Sequence, residues 1–432
     1  MKIRFLFPLL FVSCMQPSPE IIIPEKYNIG QLFDFKVIGL VANEEYELVA
    51  KKNDNFDREW LSKATFKADD FGQINLSNSS PIKGTYTRND LYGLYWSMTM
   101  TEKMSDDWVA PDPKDFSTID ISLVKENDTI KAISTVQWTI PESVQTEPLN
   151  GDIVAELMRP LNYNQEMPAI ILLGGSGGGL SWAKRMGALL ADEGYVTLAL
   201  AYFNAENLPR HLAQLPLEYI DSAINELTKK DYIDVNRIGV LGYSKGAELA
   251  LLIASRNSEI KCVAAIAPGS AVFQGFKPPK YPVLSSWSLN GEDLEFVPNA
   301  YDKRFFETYD GMYLWYRTLS QHDEVEKASI PVENINGDIL LFSGVKDKIW
   351  PSTYMSEQII SRLNIAKFEN NYEHIALPFA GHGIAEPPGH PTTSLSSRLG
   401  GTAYGNAKGR EVVWESLKNF FNRSLNTNKK AL

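Results

Sequence analysis

Gly242-Tyr243-Ser244-Lys245-Gly246 has the spacing of a nucleophile elbow, a serine held on a sharp strand-to-helix turn. The pentapeptide alone recurs by chance, and its flanks give it weight. Ile238-Gly239-Val240-Leu241 before it reads as a strand, and Ala247-Glu248-Leu249-Ala250-Leu251-Leu252 after it reads as a helix. Side chains beside a serine in so tight a turn would collide, and glycine at 242 and 246 removes them. The helix N-terminus behind Ser244 places partial positive charge where an oxyanion would develop. An ordinary strand–helix turn with a capping serine is the bland alternative, and the order of partners downstream weighs against it.

A serine hydroxyl needs a base, and the base needs a carboxylate to orient it. His382 lies in Phe379-Ala380-Gly381-His382-Gly383, just after the last strand-like run, with glycines on both sides. His374 falls inside that run and reads as a core residue, and His390 sits in a Pro/Gly loop. Asp347 follows Leu340-Leu341-Phe342-Ser343-Gly344, so it leaves a strand on the same edge as Ser244 and His382, whereas Asp338 precedes that strand. The order serine, acid, histidine is that of the α/β-hydrolase fold. Gly174-Gly175-Ser176-Gly177-Gly178-Gly179 follows the first apolar strand of this region, where the fold places its second oxyanion donor. The expected donors are the backbone N–H of Gly175 or Ser176 and that of Lys245. A nucleotide loop is the rival reading, but no Lys-Ser or Lys-Thr follows and the spacing is not G-x-G-x-x-G.

These residues need a parallel sheet to bring them to one rim. After about residue 150, strand-like runs (169–173, 196–201, 237–242, 262–267, 339–342, 372–377) alternate with helical ones (182–193, 217–230, 247–256, 352–363, 411–422). This alternation predicts an α/β sheet over residues 146–425. Residues 269–336, aromatic-rich and irregular, read as an insertion that shapes the pocket, and the Ser/Thr/Gly-rich stretch 390–408 reads as a loop that gates it. Trp182 and Arg185 read as structural, and Trp287, Tyr313, Trp315, Tyr316 and Trp350 receive no role. Residues 21–145 carry short alternating runs broken by polar turns, such as Thr118-Ile119-Asp120-Ile121-Ser122-Leu123, and predict an all-β sandwich.

Residues 1–20 stand apart. Lys2 and Arg4 precede the apolar run Phe5 to Val12, too short to span a bilayer as a helix. Together they read as an export signal followed by a tether. Phe11-Val12-Ser13-Cys14 resembles a bacterial lipobox, with Phe where Leu is usual, so Cys14 is the expected lipidation site and the cell envelope the expected location. If this segment is not a signal, the expectation is cytoplasmic. With Cys14 lipidated, Cys262 has no disulfide partner and reads as a buried thiol. The net charge of −11 over 432 residues, with no basic run, argues against a nucleic-acid partner. Neither a metal-ligand cluster nor a cofactor motif is legible, so no cofactor is expected.

The chain resembles the acyl-CoA thioesterase / bile acid-CoA:amino acid N-acyltransferase family. In the front region the resemblance lies in residues 62–69, 72–76, 83–86 and 92–98. Further on it lies in the loop 174–180, Val196 to Phe203, the Ser244 elbow, Asp347-Lys348-Ile349-Trp350-Pro351-Ser352 and Ala380-Gly381-His382. It implies an immunoglobulin-like front domain, a triad of Ser244, Asp347 and His382, and a small-molecule acyl thioester or ester as substrate. Serine rather than cysteine as nucleophile resembles the hydrolytic branch. The alternatives are an N-acyltransferase conjugating acyl groups to amino acids, an exported esterase or peptidase unrelated to coenzyme A, and a non-catalytic surface binding protein.

Overall fold

The computed structural model describes residues 18–54, 57–101, 115–149, 152–163, 165–277, 282–394 and 396–426. Cys14 and its lipobox-like context lie outside the described residues.

The front region forms two antiparallel-dominated sheets. The larger is built around the pairs Glu45–Asn53 with Glu59–Lys67 and Phe116–Lys125 with Asp128–Trp138. The smaller joins Glu20–Ile22, Lys36–Ile38 and Ile74–Asn75. Strict alternation along Glu45–Asn53 turns Tyr46, Leu48, Ala50 and Lys52 inward. The first three join Phe35, Val37, Phe66, Tyr95 and Ile121 in an apolar core, while Lys52 ends the inward row with a cation.

The second region is an eight-stranded sheet. Its strands are β1 (Val144–Pro148), β2 (Ala155–Pro160), β3 (Met167–Leu173), β4 (Val196–Leu200), β5 (Ile233–Tyr243), β6 (Ile260–Ile266), β7 (Asp338–Gly344) and β8 (Tyr372–Leu377). The spatial order is β1-β2-β4-β3-β5-β6-β7-β8, with β2 antiparallel to both neighbours and parallel pairing from β4 to β8. This is the α/β-hydrolase arrangement. Because Val144 pairs with Pro160, the sheet begins slightly before the division expected after residue 145.

Residues 169, 171 and 173 of β3 face one layer and 170 and 172 the other, so the strand is apolar throughout. The first layer holds α2 (Leu217–Thr228), α3 (Lys245–Arg256) and α4 (Ser352–Ala366). The second holds α1 (Ser181–Asp192) and α5 (Ala403–Leu425). Residues 269–336 leave the sheet between β6 and β7. They carry the strands Trp287–Leu289 and Glu292–Asp293, which extend from Leu215–Pro216, and three short helices.

Two expectations change here. The last helix begins at Ala403, eight residues before the expected Glu411. Gly405 and Gly409 made its first turns read as loop. Packing requires that small face, since a Cβ at Gly405 would lie 2.1 Å from the Phe379 carbonyl oxygen. Thr402 caps the helix by accepting from the Gly405 N–H at 2.9 Å. The stretch 390–408 is therefore a brace rather than a gate. Leu399 O accepts from His382 N at 2.8 Å, and Asn406 Oδ1 accepts from Gly381 N at 2.8 Å. Gly400 and Gly401 bridge to Asp347 and Ala380. The amides of Gly381 and His382 should thus exchange with deuterium as slowly as those of β7 in native-state exchange, whereas exchange at loop rates would restore the gate.

Candidate active site

Ser244 sits where β5 turns into α3, at φ 56° and ψ −120°, a conformation that L residues rarely hold. The flanking glycines have no room for a side chain. A Cβ at Gly242 would lie 2.2 Å from the Gly246 carbonyl oxygen, and one at Gly246 would lie 2.1 Å from that of Leu173. The second contact seats the elbow against the end of β3, where the 174–179 loop starts. Tyr202 donates its hydroxyl to Gly174 O, and Asn204 Nδ2 donates to Gly177 O at 2.9 Å, clamping that loop from the end of β4.

The three residues singled out in the sequence meet on this rim. His382 Nε2 is 3.0 Å from Ser244 Oγ, and His382 Nδ1 is 2.8 Å from Asp347 Oδ2. All three are buried. Asp347 is further held by Ser352 Oγ, donating to Oδ2 at 2.7 Å, and by Ile349 N, donating to Oδ1 at 2.8 Å. The carboxylate therefore has a single rotamer with one oxygen aimed at the imidazole. Tyr243 donates its hydroxyl to His382 O at 3.2 Å, and its ring lies 5.2 Å from the imidazole. Trp350 lies across the other side at 6.3 Å and donates Nε1 to Ala267 O at 3.1 Å. Burial, then the Asp347 charge, holds the Tyr243 phenol well above its ordinary range, so it stays a neutral donor. A hydroxyl, an imidazole and a fixed carboxylate in this chain can pass the hydroxyl proton to the ring as the oxygen attacks a carbonyl.

Two of the residues expected as oxyanion donors adjoin Ser244. Lys245 opens α3, so its N–H has no carbonyl one turn back. Gly175 lies against Ser244, since a Cβ there would be 3.1 Å from Ser244 Cβ. Ser176 is one step further out, exposed in a turn closed by Gly178 N donating to Gly175 O at 3.1 Å. The other sequence readings divide. His374 is half-buried in β8, with Nε2 2.8 Å from Ser343 Oγ. Trp182 donates Nε1 to Ala385 O at 2.9 Å, and Arg185 pairs with Glu386. Cys262 is buried in β6.

One arrangement was not foreseen. The Lys245 side chain is buried and pairs with Glu248 one helical turn on, Nζ to Oε2 at 2.6 Å. Glu248 Oε1 also accepts from Trp287 Nε1 at 2.8 Å and Phe273 N at 3.3 Å, fastening the 269–336 insertion to the elbow. Burial pushes the ammonium down and the carboxyl up, each opposed by its partner. The signal available was a Lys/Glu pair at i,i+3 interrupting the apolar start of a helix.

The profile of the acyl-CoA thioester hydrolase/BAAT N-terminal region matches residues 31–151, and that of the BAAT/acyl-CoA thioester hydrolase C-terminal region matches residues 215–427. The chain belongs to the acyl-CoA thioester hydrolase/BAAT family. Human acyl-coenzyme A thioesterase 1 is 26% identical to this family member over 403 residues, 90% of this chain and 92% of the human protein. Human bile acid-CoA:amino acid N-acyltransferase is 24% identical over 431 residues, 93% of this chain and 96% of that protein. A solved esterase from Pseudomonas putida is similar at a TM-score of 0.40 and 15% identity, over 65% of this chain and 82% of its own.

Replacing Gly246 by Ala should force Leu173 O and the elbow apart. The expected cost is ~1–3 kcal/mol or more in urea unfolding, the range of overpacked core substitutions. A change within ~0.5 kcal/mol would mean that the turn tolerates a side chain.

Proposed function

We propose that this chain hydrolyses acyl thioesters or esters through an acyl-serine intermediate on Ser244. The observation that carries the reading is the continuous chain of hydrogen bonds from the Ser244 hydroxyl through His382 to Asp347, at 3.0 and 2.8 Å. Family membership supports the substrate class, since its named relatives are acyl-coenzyme A thioesterases and a bile acid-CoA:amino acid N-acyltransferase.

His382 Nε2 takes the Ser244 proton as Oγ bonds to the acyl carbon. The carbonyl oxygen gains the negative charge, met by the N–H of Lys245 and that of Gly175, with Ser176 the alternative second donor. Collapse breaks the bond to the thiolate or alkoxide, which leaves with the proton from the imidazolium. Water then attacks the acyl-serine, giving its proton to the same nitrogen, and the acid departs as Ser244 recovers its hydrogen. Asp347 holds the ring in the tautomer that leaves Nε2 free to accept and stabilises the transient cation. Serine at the elbow favours hydrolysis over transfer. The long match to the N-acyltransferase keeps transfer as the second reading, in which an amine replaces water. The basic and apolar start, residues 2–14, supports export and lipidation at Cys14. Cell fractionation with mass analysis of the N-terminus tests that placement.

The full chain should label with a fluorophosphonate and hydrolyse a medium-chain acyl-CoA or nitrophenyl ester. Ser244→Ala should abolish labelling and lower turnover by ~10³-fold or more. Asp347→Asn should lower kcat by ~10²–10⁴-fold while the protein stays folded, because the ring loses its orienting acceptor. Unchanged turnover in Ser244→Ala would reject the mechanism. Amide product in the presence of glycine or taurine would favour the transferase.

A further inference from the structure

The Lys245–Glu248 pair is buried in the first turn of α3, immediately after the nucleophile. Lys245 Nζ lies 2.7 Å from Glu248 Oε1 and 2.6 Å from Oε2, so the ammonium spans the carboxylate. The rings of Trp287, Phe276 and Phe273 surround that ammonium, with centroids at 5.5, 5.9 and 6.0 Å. A buried ion pair seldom repays its desolvation, and apolar residues of similar volume often serve stability as well. Apolar residues cannot, however, fix the direction of several N–H donors at once.

Three arms run from the Glu248 carboxylate toward the site. The first is Lys245 itself, whose side chain the carboxylate holds and whose backbone N–H is an expected oxyanion donor. The second runs through Trp287. Its Nε1 donates to Glu248 Oε1 at 2.8 Å, and its ring meets that of Tyr202 edge-on at 5.6 Å. Tyr202 donates its hydroxyl to Gly174 O, at the start of the glycine loop. The next residue, Gly175, approaches the nucleophile so closely that a Cβ there would lie 3.1 Å from Ser244 Cβ. The third arm runs through Phe273. Its N–H donates to Glu248 Oε1 at 3.3 Å, and its ring lies 6.2 Å from that of Trp350, which in turn lies 6.3 Å from the His382 imidazole.

We propose that Glu248 is a positioning residue for acyl transfer, holding the two donor segments, at Lys245 and at Gly174–Gly175, in register with the Ser244 hydroxyl. The proposal rests on the hydrolase reading above and deepens it. Oxyanion donors work because they are fixed before the charge develops. Loosening them weakens binding of the transition state more than that of the substrate, so the loss falls on kcat at constant KM. The insertion thereby acts on the chemistry through one carboxylate that Trp287 and Phe273 both reach.

The full chain is compared with two double variants that leave no unpaired buried charge. Lys245→Met/Glu248→Leu removes the acceptor, and Lys245→Met/Glu248→Gln restores an oxygen for Trp287 Nε1 and Phe273 N. Both keep the backbone N–H of residue 245, and both should melt near the wild-type Tm because the pair's desolvation cost is gone. The first should lower kcat for an acyl-CoA or nitrophenyl ester about 10- to 100-fold at constant KM, short of the loss of a whole oxyanion donor. Fluorophosphonate labelling should slow by a similar factor, since the phosphonyl oxygen needs the same donors. The second should recover most of both losses. The amides of Gly178 and Gly179, which close the glycine loop, should exchange faster in the first variant and at the wild-type rate in the second. Equal kcat in the wild type and the first variant, equal kcat in the two variants, or unchanged exchange would overturn the proposal. If the first variant fails to fold, Trp287→Phe carries the test, since it removes only the indole donor; wild-type kcat and exchange in it would overturn the proposal. Absence of labelling and turnover in every protein, with exchange still faster in the first variant, would count against the hydrolase reading and leave the positioning in place.

Discussion

The strand-to-helix turn at Ser244 is the constraint on which the rest of the site depends. Its backbone holds φ 56° and is tolerable only because neither neighbour at 242 and 246 carries a side chain. The turn is closed by packing, with Gly246 against the end of β3 and the first turn of α3 locked by the buried Lys245–Glu248 pair. That closure holds the hydroxyl within hydrogen-bonding reach of His382 and starts α3 at the next residue. Everything else on the rim is arranged around a point the elbow has already set.

The partners arrive by different routes and are braced differently. Asp347 leaves β7 and is pinned by Ser352 and Ile349. His382 leaves β8 on a segment with almost no secondary structure of its own, and its order comes from neighbours. Leu399 O, Asn406 and Arg410 take up the backbone groups of 381–383. Helix α5, far along the chain from the elbow, is thus part of what positions the base. Its early glycines serve that purpose by letting the helix approach residues 379–384 closely.

The front sandwich touches the same machinery. Residues near Ile29, Tyr92 and Gln137 pack against Gly389, and Thr392 donates to Trp96 O. The loop that follows His382 therefore lies between the two regions. Arg410 of α5 donates to Gly383 O on the same loop. A domain that reads in the sequence only as a sandwich becomes, in three dimensions, a wall of the site's outer layer.

Much of the fold was legible because its signals are local. Strand-like runs of four to six residues alternating with helical periods specify a parallel sheet, and the order of serine, aspartate and histidine after successive strands puts them on one edge. The start of α5 was not legible, since Gly405 and Gly409 lower helix propensity and the packing that compensates lies at residues 379–384. The gating role expected for 390–408 went the same way, because composition cannot reveal that Gly400 bridges to Asp347. The burial of the Lys245–Glu248 pair was not legible, because the insertion that covers it comes from residues 269–336.

By itself, then, the sequence determined the chemistry on offer and the rim on which it stands, since residue type, glycine flanks and strand order are properties of short segments. Tertiary structure alone decided the distances that make a proton relay, the burial of Lys245 and Glu248, and the bracing of residues 381–383 by Leu399, Asn406 and Arg410. Each of these joins residues far apart in the chain or depends on what covers them, and that information exists only once long-range packing excludes water.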